Sequence, residues 1–343
     1  MTPINRRLFL AWSAITALGM AIRPESLYAT MTTQSTKQGR AVIPTGFPDL
    51  DSMIGGFRPS DLIIIGSRPA MGGDSLALNI GVNAASRPSG GAIAVFSPEM
   101  PRRAFYTHLL GILGEIDTCR LTYGGLNDAE CTYSSENVAG RLAISRIFLN
   151  AAPIQRTDVL ESIRLHRHSN AMERAQCSCG ELMGPLSVYD IGNMLRRLQR
   201  DHELDLVVVD DLQLVCHGNQ TKNCEQSLAE SARALKALAV ELQVPIIAVS
   251  QITVDVEHRR DRRPKLGDLL WSDGTAEQAA DMVLMVHRNG LYELDFSGPL
   301  WARADETAEI LIAKHPDGVT GTVNLPFYEP YQKFGKCLRP IIV

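Results

Sequence analysis

Cysteine is scarce in this chain. The sequence of 343 residues contains seven cysteines, a low and odd number. A disulfide framework needs paired cysteines at high density, so the sequence does not predict one. A reducing compartment is the simpler expectation, and we therefore expect a cytoplasmic protein.

A long apolar run is also missing. The stretch from Leu8 to Ile22 follows two arginines, but it is shorter than the roughly 20 residues that cross a bilayer, so we expect no membrane partner. Residues 5–10 resemble a twin-arginine export motif, and residues 26–29 resemble a weak cleavage site. We interpret residues 1–40 as an extension followed by a polar tether, and an export signal remains the alternative.

An excess of basic charge is the third absence. The chain has 34 Lys and Arg against 38 Asp and Glu, which gives a net charge of −4. Any contact with nucleic acid must therefore come from a local patch. One candidate is the basic loop, residues 259–265, and its cations are Arg259, Arg260, Arg262, Arg263 and Lys265. These residues are predicted to contact single-stranded DNA weakly, although such a run is also typical of a solvated loop.

Short apolar runs alternate with helical stretches over the rest of the chain. The predicted strands are residues 62–65, 92–96, 204–209, 245–249, 282–286, 309–313 and 321–325, and a helix is predicted at residues 75–85. This order predicts an α/β fold, with a mostly parallel sheet and helices on both faces. Ligands of such sheets bind beyond the carboxyl ends of the strands, so polar residues at those ends are candidate site residues.

Residues 66–75 have the placement and the glycines of a phosphate-binding loop. In such a loop, backbone N–H groups hold phosphate at a helix N-terminus, a Lys reaches the outer phosphates, and a Ser or Thr binds Mg²⁺. Here Gly73 stands at the Lys position and Asp74 at the hydroxyl position, while Ser75 lies one residue further along. A carboxylate there would repel a triphosphate. On this motif alone, a glycine-rich turn is the preferred interpretation.

A series of short motifs favours the phosphate-loop interpretation over a simple glycine-rich turn. They lie, in order, at residues 44–47, 55–57, 59–63, 68–69, 71–72, 96–101, 209–214, 232–239, 250–251, 263–264, 277–278 and 321–323. This ordered set resembles the C-terminal motor domain of DnaB-type replicative helicases over about residues 43–328. The resemblance implies a RecA-like P-loop NTPase fold for residues 41–343. It also implies a ring-shaped, ATP-driven motor that translocates on single-stranded DNA during replication.

The resemblance assigns roles to individual residues. Glu99 would polarise the attacking water, Asp210 would hold Mg²⁺, and Gln251 would sense the γ-phosphate and couple it to DNA. ATP and Mg²⁺ are the implied cofactors, and helicase subunits or further copies of the chain are the implied partners. The implied nucleotide-binding residues are Arg68, Pro69, Met71, Gly72, Gly73, Asp74 and Ser75. A lone acidic residue at a strand end is more often a helix cap or a solvated loop charge. Because Glu99, Asp210 and Gln251 lie on three successive family motifs, a shared site is the better interpretation.

The departures from the family are concentrated where chemistry is needed. Lys314 matches the family's trans site, yet the arginine-finger position holds Pro316. Such a finger is worth about 10³–10⁵ in rate, so we expect impaired hydrolysis. Substitute phosphate contacts from Arg68, Arg288 or Lys314 are conceivable. Three hypotheses remain: an impaired helicase core, a non-catalytic relative that binds DNA or a helicase and modulates it, and a decayed gene product.

An insertion separates two of the motifs. About 30 residues, at about 154–185, exceed the family pattern and an ordinary connection. They include two histidines and two cysteines, His166, His168, Cys177 and Cys179. Their spacing is unusual for zinc, so we expect a solvated helix at residues 157–167 and a loop instead. We expect no counterpart of the family's helical amino-terminal domain before the core, and hexamer formation is therefore in doubt.

Overall fold

Most of the region from residue 41 onward is described by the computed structural model. The described residues are 41–88, 90–98, 100–123, 126, 132–133, 138, 146–150, 152–153, 186–215, 224–270, 275–292 and 306–336. The predicted extension at 1–40, Glu99 and the insertion with its two histidines and two cysteines lie outside them. Within the described ranges, every helix is too short or too polar to cross a membrane.

A single sheet forms the centre of the fold. Its strands are β1 (Leu62–Ser67), β2 (Ala92–Phe96), β3 (Ile147–Leu149), β4 (Ala152–Pro153), β5 (Leu204–Val209), β6 (Ile246–Gln251), β7 (Met282–His287), β8 (Glu306–Lys314), β9 (Gly321–Tyr328) and β10 (Lys333–Phe334). Their spatial order is β10-β9-β8-β7-β1-β6-β5-β2-β3-β4. Every residue of β1, β2 and β7 is buried, as expected for strands covered on both faces.

The middle of the sheet is parallel and its edges are antiparallel. β1 pairs in parallel with both β6 and β7, and β5, β2 and β3 continue the parallel part. β8, β9 and β10 on one side, and β4 on the other, are antiparallel. The prediction of a mostly parallel sheet is therefore confirmed, and the seven predicted strands all lie on strands of the structure.

Helices cover both faces of the sheet. They are α1 (Pro48–Ile54), α2 (Gly73–Ala85), α3 (Arg102–Gly114), α4 (Thr118–Tyr123), α5 (Val188–Asp201), α6 (Cys224–Leu242) and α7 (Thr275–Ala279). Ile63 and Ile65 pack with residues of α1, α2 and α3, whereas Leu62 and Ile64 pack with residues of α5, α6 and α7. Successive side chains of a strand point to opposite faces, so β1 joins two hydrophobic cores.

The turn between β1 and α2 positions the candidate site. α2 begins at Gly73, two residues earlier than predicted, and Gly72 precedes it with φ +88°. Only glycine adopts that left-handed conformation without strain. The Met71 N–H donates to the Arg68 carbonyl at 3.1 Å, and the Leu76 N–H donates to the Gly72 carbonyl at 2.8 Å. The turn is thereby folded back over the end of β1, as in a phosphate-binding loop.

Candidate functional site

The carboxyl ends of four neighbouring strands surround an open cavity of about 390 Å³. It brings together part of the site that the sequence predicted, namely Arg68, Pro69, Asp74, Asp210 and Gln251. The strands responsible are β1, β2, β5 and β6, and their parallel pairing is what collects residues so distant in the chain. The predicted position of the site at this edge of the sheet agrees with the location of the cavity.

Four predicted nucleotide-binding residues are absent from the described lining of this cavity: Met71, Gly72, Gly73 and Ser75. Ser75 is buried, and its hydroxyl donates to Gln332 Oε1 at 2.8 Å. The Asn79 amide donates to the Gln332 carbonyl at 2.9 Å, one turn further along α2. The Ser75 hydroxyl therefore links α2 to the turn before β10, and it does not replace the missing metal-binding hydroxyl.

The missing lysine has a structural counterpart in Ser67. A Cβ atom on residue 73 would lie 2.2 Å from Ser67 Oγ and 2.8 Å from Ser67 Cβ. Both distances are shorter than real Cβ contacts, and Ser67 is buried. The space from which a lysine side chain would start is thus filled by the last residue of β1. Nothing in the sequence pointed to Ser67, because its importance depends on how closely β1 and α2 approach.

Asp74 gives the cavity a negative charge at the start of α2. A carboxylate in the first turn stabilises a helix, because it faces the positive end of the helix dipole. Burial lowers the pKa of His108 on α3, and the Asp74 charge opposes part of that shift. His108 is therefore mainly neutral at pH 7 and does not balance Asp74. The effect is to weaken the attraction that this helix end would otherwise have for phosphate.

Side-chain hydrogen bonds join the end of β5 to the ends of β2 and β6. Ser97 Oγ donates to Asp210 Oδ2 at 3.2 Å, and Gln251 Nε2 donates to Asp211 Oδ2 at 3.0 Å. Asp211 also accepts from the Gln213 N–H at 3.3 Å and so begins the 3₁₀ turn Leu212–Leu214. Asp211 therefore caps a helix, which is one interpretation of an acidic strand end. Asp210, the predicted Mg²⁺ ligand, lines the cavity, as Asp211 also does.

The donor set fits Mg²⁺-ATP poorly. Three carboxylates line the cavity, those of Asp74, Asp210 and Asp211, whereas Arg68 is its one cationic residue among the described ones. The space at Gly73 is closed by Ser67. Within the described residues, no group of three or more His, Cys, Asp or Glu is arranged to hold a metal ion.

Arg68 forms an ion pair with Glu257, which lies 189 residues away in the sequence. The Tyr292 hydroxyl donates to Glu257 Oε1 at 2.7 Å. Burial and, to a smaller extent, the hydrogen bond to Glu257 raise the pKa of Tyr292 to about 12, so this hydroxyl stays protonated at neutral pH. Sequence reasoning missed Glu257 and Tyr292, because the contact of Glu257 with Arg68, and of Tyr292 with Glu257, depends on the fold.

Arg288 supports the phosphate loop through the backbone of Ala70. It is 1% exposed, its Nη1 donates to the Ala70 carbonyl at 2.9 Å, and its Nη2 donates to Glu329 at 3.2 Å. Its guanidinium also lies 4.5 Å from the ring centroid of Phe327 on β9. Arg288 does not line the cavity. Its contacts therefore indicate a structural role, and not the substitute phosphate contact that the sequence suggested.

Lys314, the predicted trans-site residue, makes hydrogen bonds within its own chain. Its ammonium donates to the carbonyls of Glu277 and Ala280 at 2.6 Å each. These carbonyls lie at the end of α7, where a cation also meets the negative end of the helix dipole. Pro316, two residues later, is exposed. The structure therefore gives Lys314 a capping role in this chain.

The cations of the basic loop are not equivalent. Arg259 Nη1 bonds to Asp268 Oδ2 at 2.6 Å, and Arg263 makes two bonds of 2.7 Å to Glu309. The Arg262 guanidinium lies 4.7 Å from the ring centroid of Tyr292. Arg260 and Lys265 are exposed, and they complete the predicted DNA-binding set. Intramolecular pairing thus reduces the charge that the loop offers to a phosphate backbone.

Comparisons with known proteins agree with one another. A profile of the DnaB-like helicase C terminal domain matches residues 42–173 and, overlapping these, residues 133–336. The chain is 36% identical to replicative DNA helicase DnaB of Geobacillus stearothermophilus over 293 residues, and 34% identical to replicative DNA helicase DnaC of Bacillus subtilis (strain 168) over 294 residues. Each match covers 85% of this chain and 56% of the relative. The chain thus spans a little over half the length of these curated relatives.

Two solved structures share the fold. One is described as an ATPase domain, with 25% identity, a TM-score of 0.68 and coverage of 97% of this chain and 98% of that chain. The other is the structure of a DnaB-like replicative helicase and its interactions with primase. Its identity is 25% and its TM-score is 0.69, and the match covers 95% of this chain and 70% of that chain. The architecture found here is therefore that of known helicase ATPase domains.

Proposed function

Because this chain belongs to the family of DnaB-like helicase C-terminal domains, we propose that it is a replicative DNA helicase core that is impaired in ATP hydrolysis. The observation that carries the proposal is at the phosphate loop. Ser67 fills the space from which the lysine would start, and Asp74 stands where the metal-binding hydroxyl would be. The cavity keeps the family's position and lacks the family's charges.

Simple electrostatics indicates which effect dominates. A carboxylate about 4 Å from a phosphate charge costs roughly 4 kcal/mol at an effective dielectric constant of about 20. The positive end of a helix contributes only about 0.3–1 kcal/mol of attraction for an anion. The repulsion by Asp74 therefore outweighs the attraction of the α2 N-terminus. Arg68 does not reverse this balance while it is paired with Glu257.

Calorimetric titration of the full chain with Mg²⁺-ATP tests the proposal. We expect binding that is weak or absent, together with ATP hydrolysis close to the rate without protein. Micromolar, Mg²⁺-dependent affinity or turnover at a helicase rate would contradict the proposal. The same titration without Mg²⁺ is the control, because Asp210 would contribute only when a metal ion is present.

A second candidate function is a non-catalytic relative that binds single-stranded DNA or a helicase and modulates unwinding. The exposed Arg260 and Lys265 favour it, because they can contact phosphates without any nucleotide chemistry. Adding the chain to an unwinding assay of a related helicase tests it. A change in the unwinding rate at unchanged ATP turnover by the added chain favours modulation, and no change favours the first proposal.

The cellular placement is also a proposal. We propose that the protein works in the cytoplasm, alone or with helicase subunits or further copies of itself, and that residues 1–40 are an extension. ATP and single-stranded DNA are both cytoplasmic ligands of the family. Fractionation of cells that express a tagged full-length chain tests this placement, and a processed protein in the periplasm would contradict it.

A further inference from the structure

The arginine of the phosphate loop is paired with a carboxylate that sequence reasoning did not anticipate. Arg68 is the one cationic residue among the described residues that line the cavity, whose carboxylates are Asp74, Asp210 and Asp211. Its guanidinium forms an ion pair with Glu257. An anion that enters the cavity therefore meets three carboxylates, and the one cation there is already bound to a fourth carboxylate.

Glu257 is held in place by its surroundings. It lies in the 3₁₀ turn Val254–His258, whose Val256 is buried. The Tyr292 hydroxyl donates to Glu257 at 2.7 Å, and the guanidinium of Arg262 lies over the Tyr292 ring. The carboxylate is thus positioned against Arg68 by the turn that carries it and by the Tyr292 hydroxyl.

We propose that Glu257 sets the affinity of this cavity for phosphate-bearing ligands, because its carboxylate occupies on Arg68 the place that a phosphate oxygen would take. Carboxylate and phosphate oxygens bind a guanidinium through the same kind of charge-assisted hydrogen bond, so the two compete for it. The inference rests on the proposed function in so far as the cavity is the nucleotide site. Glu257 is then an internal competitor for phosphate in that site, a role that the family resemblance does not imply.

The expected size of the effect follows from exposure. The side chains of Arg68 and Glu257 are 22% and 31% exposed, so solvent partly screens the pair. Pairs of this kind are worth up to about 1 kcal/mol. Neutralising Glu257 should therefore tighten the binding of a polyphosphate by about two- to fivefold.

Inorganic pyrophosphate is the probe, titrated into the full chain by calorimetry at low ionic strength. Glu257→Gln keeps the shape of the side chain and removes its charge, and we expect a gain of about two- to fivefold. Glu241→Gln is the matched control, because Glu241 also pairs with an arginine, but its partner Arg196 does not line the cavity, whereas Arg68 does. Glu241→Gln should leave the affinity unchanged. A folded Glu257→Gln variant with no gain overturns the proposal.

A double-mutant cycle shows whether the gain acts through Arg68. In the Arg68→Gln background, Glu257→Gln should add nothing. An equal gain in that background would mean that the carboxylate acts only by general repulsion, and the proposal would be wrong. Tyr292→Phe provides a second route, since it releases Glu257 without removing its charge.

The Tyr292→Phe variant should show a gain smaller than that of Glu257→Gln. A gain as large as that of Glu257→Gln would assign the effect to loop rearrangement and overturn the proposal. If thermal unfolding shows that Glu257→Gln does not fold, Tyr292→Phe decides alone, and an unchanged affinity overturns the proposal. Micromolar Mg²⁺-ATP binding by the unaltered chain would contradict the proposed function, whereas the ratio between variant and unaltered chain would still decide the role of Glu257.

Discussion

Two residues, Ser67 and Gly73, decide whether the phosphate loop can be returned to the family pattern. Sequence comparison alone suggests that Gly73→Lys with Asp74→Thr should restore nucleotide binding. The structure adds a steric condition, because any side chain at position 73 meets Ser67 Oγ at 2.2 Å from its Cβ. The loss of the lysine and the presence of Ser67 are thus physically coupled, and repair requires a change at both positions.

We predict that Gly73→Ala destabilises the protein by about 1–3 kcal/mol, which is the usual cost of overpacking a tight site. Urea denaturation measures the free energy of unfolding. In a Ser67→Gly background the cost of Gly73→Ala should fall sharply, since both close atoms of Ser67 are gone. Equal costs in the two backgrounds would show that Ser67 does not restrict position 73.

Nucleotide repair gives a second prediction at the residue scale. The triple variant Ser67→Gly, Gly73→Lys, Asp74→Thr should bind Mg²⁺-ATP in calorimetry, and it should bind more tightly than the variant without the Ser67 change. Hydrolysis should stay low until Pro316→Arg is added, because the finger charge is still missing. The family-like frame of Arg68 and Pro69 would be insufficient if the triple variant failed to bind.

The C-terminal strands act as an element that supports the phosphate loop. Arg288 follows β7, stacks on Phe327 of β9 and donates to the Ala70 carbonyl, so one buried side chain joins three segments. We predict that Arg288→Ala lowers the free energy of unfolding by about 3 kcal/mol, because it empties the buried space that this side chain fills beside Phe327. Arg196→Ala, at an exposed ion pair with Glu241, should cost less than about 1 kcal/mol in the same urea titration.

The strands of the sheet were predictable because a buried parallel strand needs an uninterrupted apolar run, which β1 with Leu62–Ile65 shows clearly. β3, β4 and β10 were missed, since segments of two or three residues carry no periodic signal. The position of the cavity was also predictable, because polar residues at strand ends converge at one edge of a parallel sheet. The pairing of Arg68 with Glu257 was not, since a contact between residues 189 positions apart depends on the finished fold.

At the scale of the whole molecule, the net charge of −4 opposes the approach of DNA. Binding must then come from the basic loop, where Arg259 and Arg263 are paired with Asp268 and Glu309. The charge left for phosphate is correspondingly smaller than the five cations suggest. We therefore expect single-stranded DNA binding that is weak, independent of sequence and steeply reduced by salt.

Fluorescence anisotropy with a labelled oligonucleotide at several salt concentrations tests this distribution of charge. Each phosphate contact contributes a slope of about −0.7 in log K against log salt for single strands. Arg260→Ala with Lys265→Ala should remove most of the affinity and flatten the slope by about 1.4 when each cation contacts one phosphate. Arg196→Ala, an exposed arginine outside the loop, is the control and should change neither quantity. An unchanged slope in the double variant would exclude these two cations from the DNA contact. If Arg259→Ala with Arg263→Ala flattened it instead, the ion pairs to Asp268 and Glu309 must open when DNA binds.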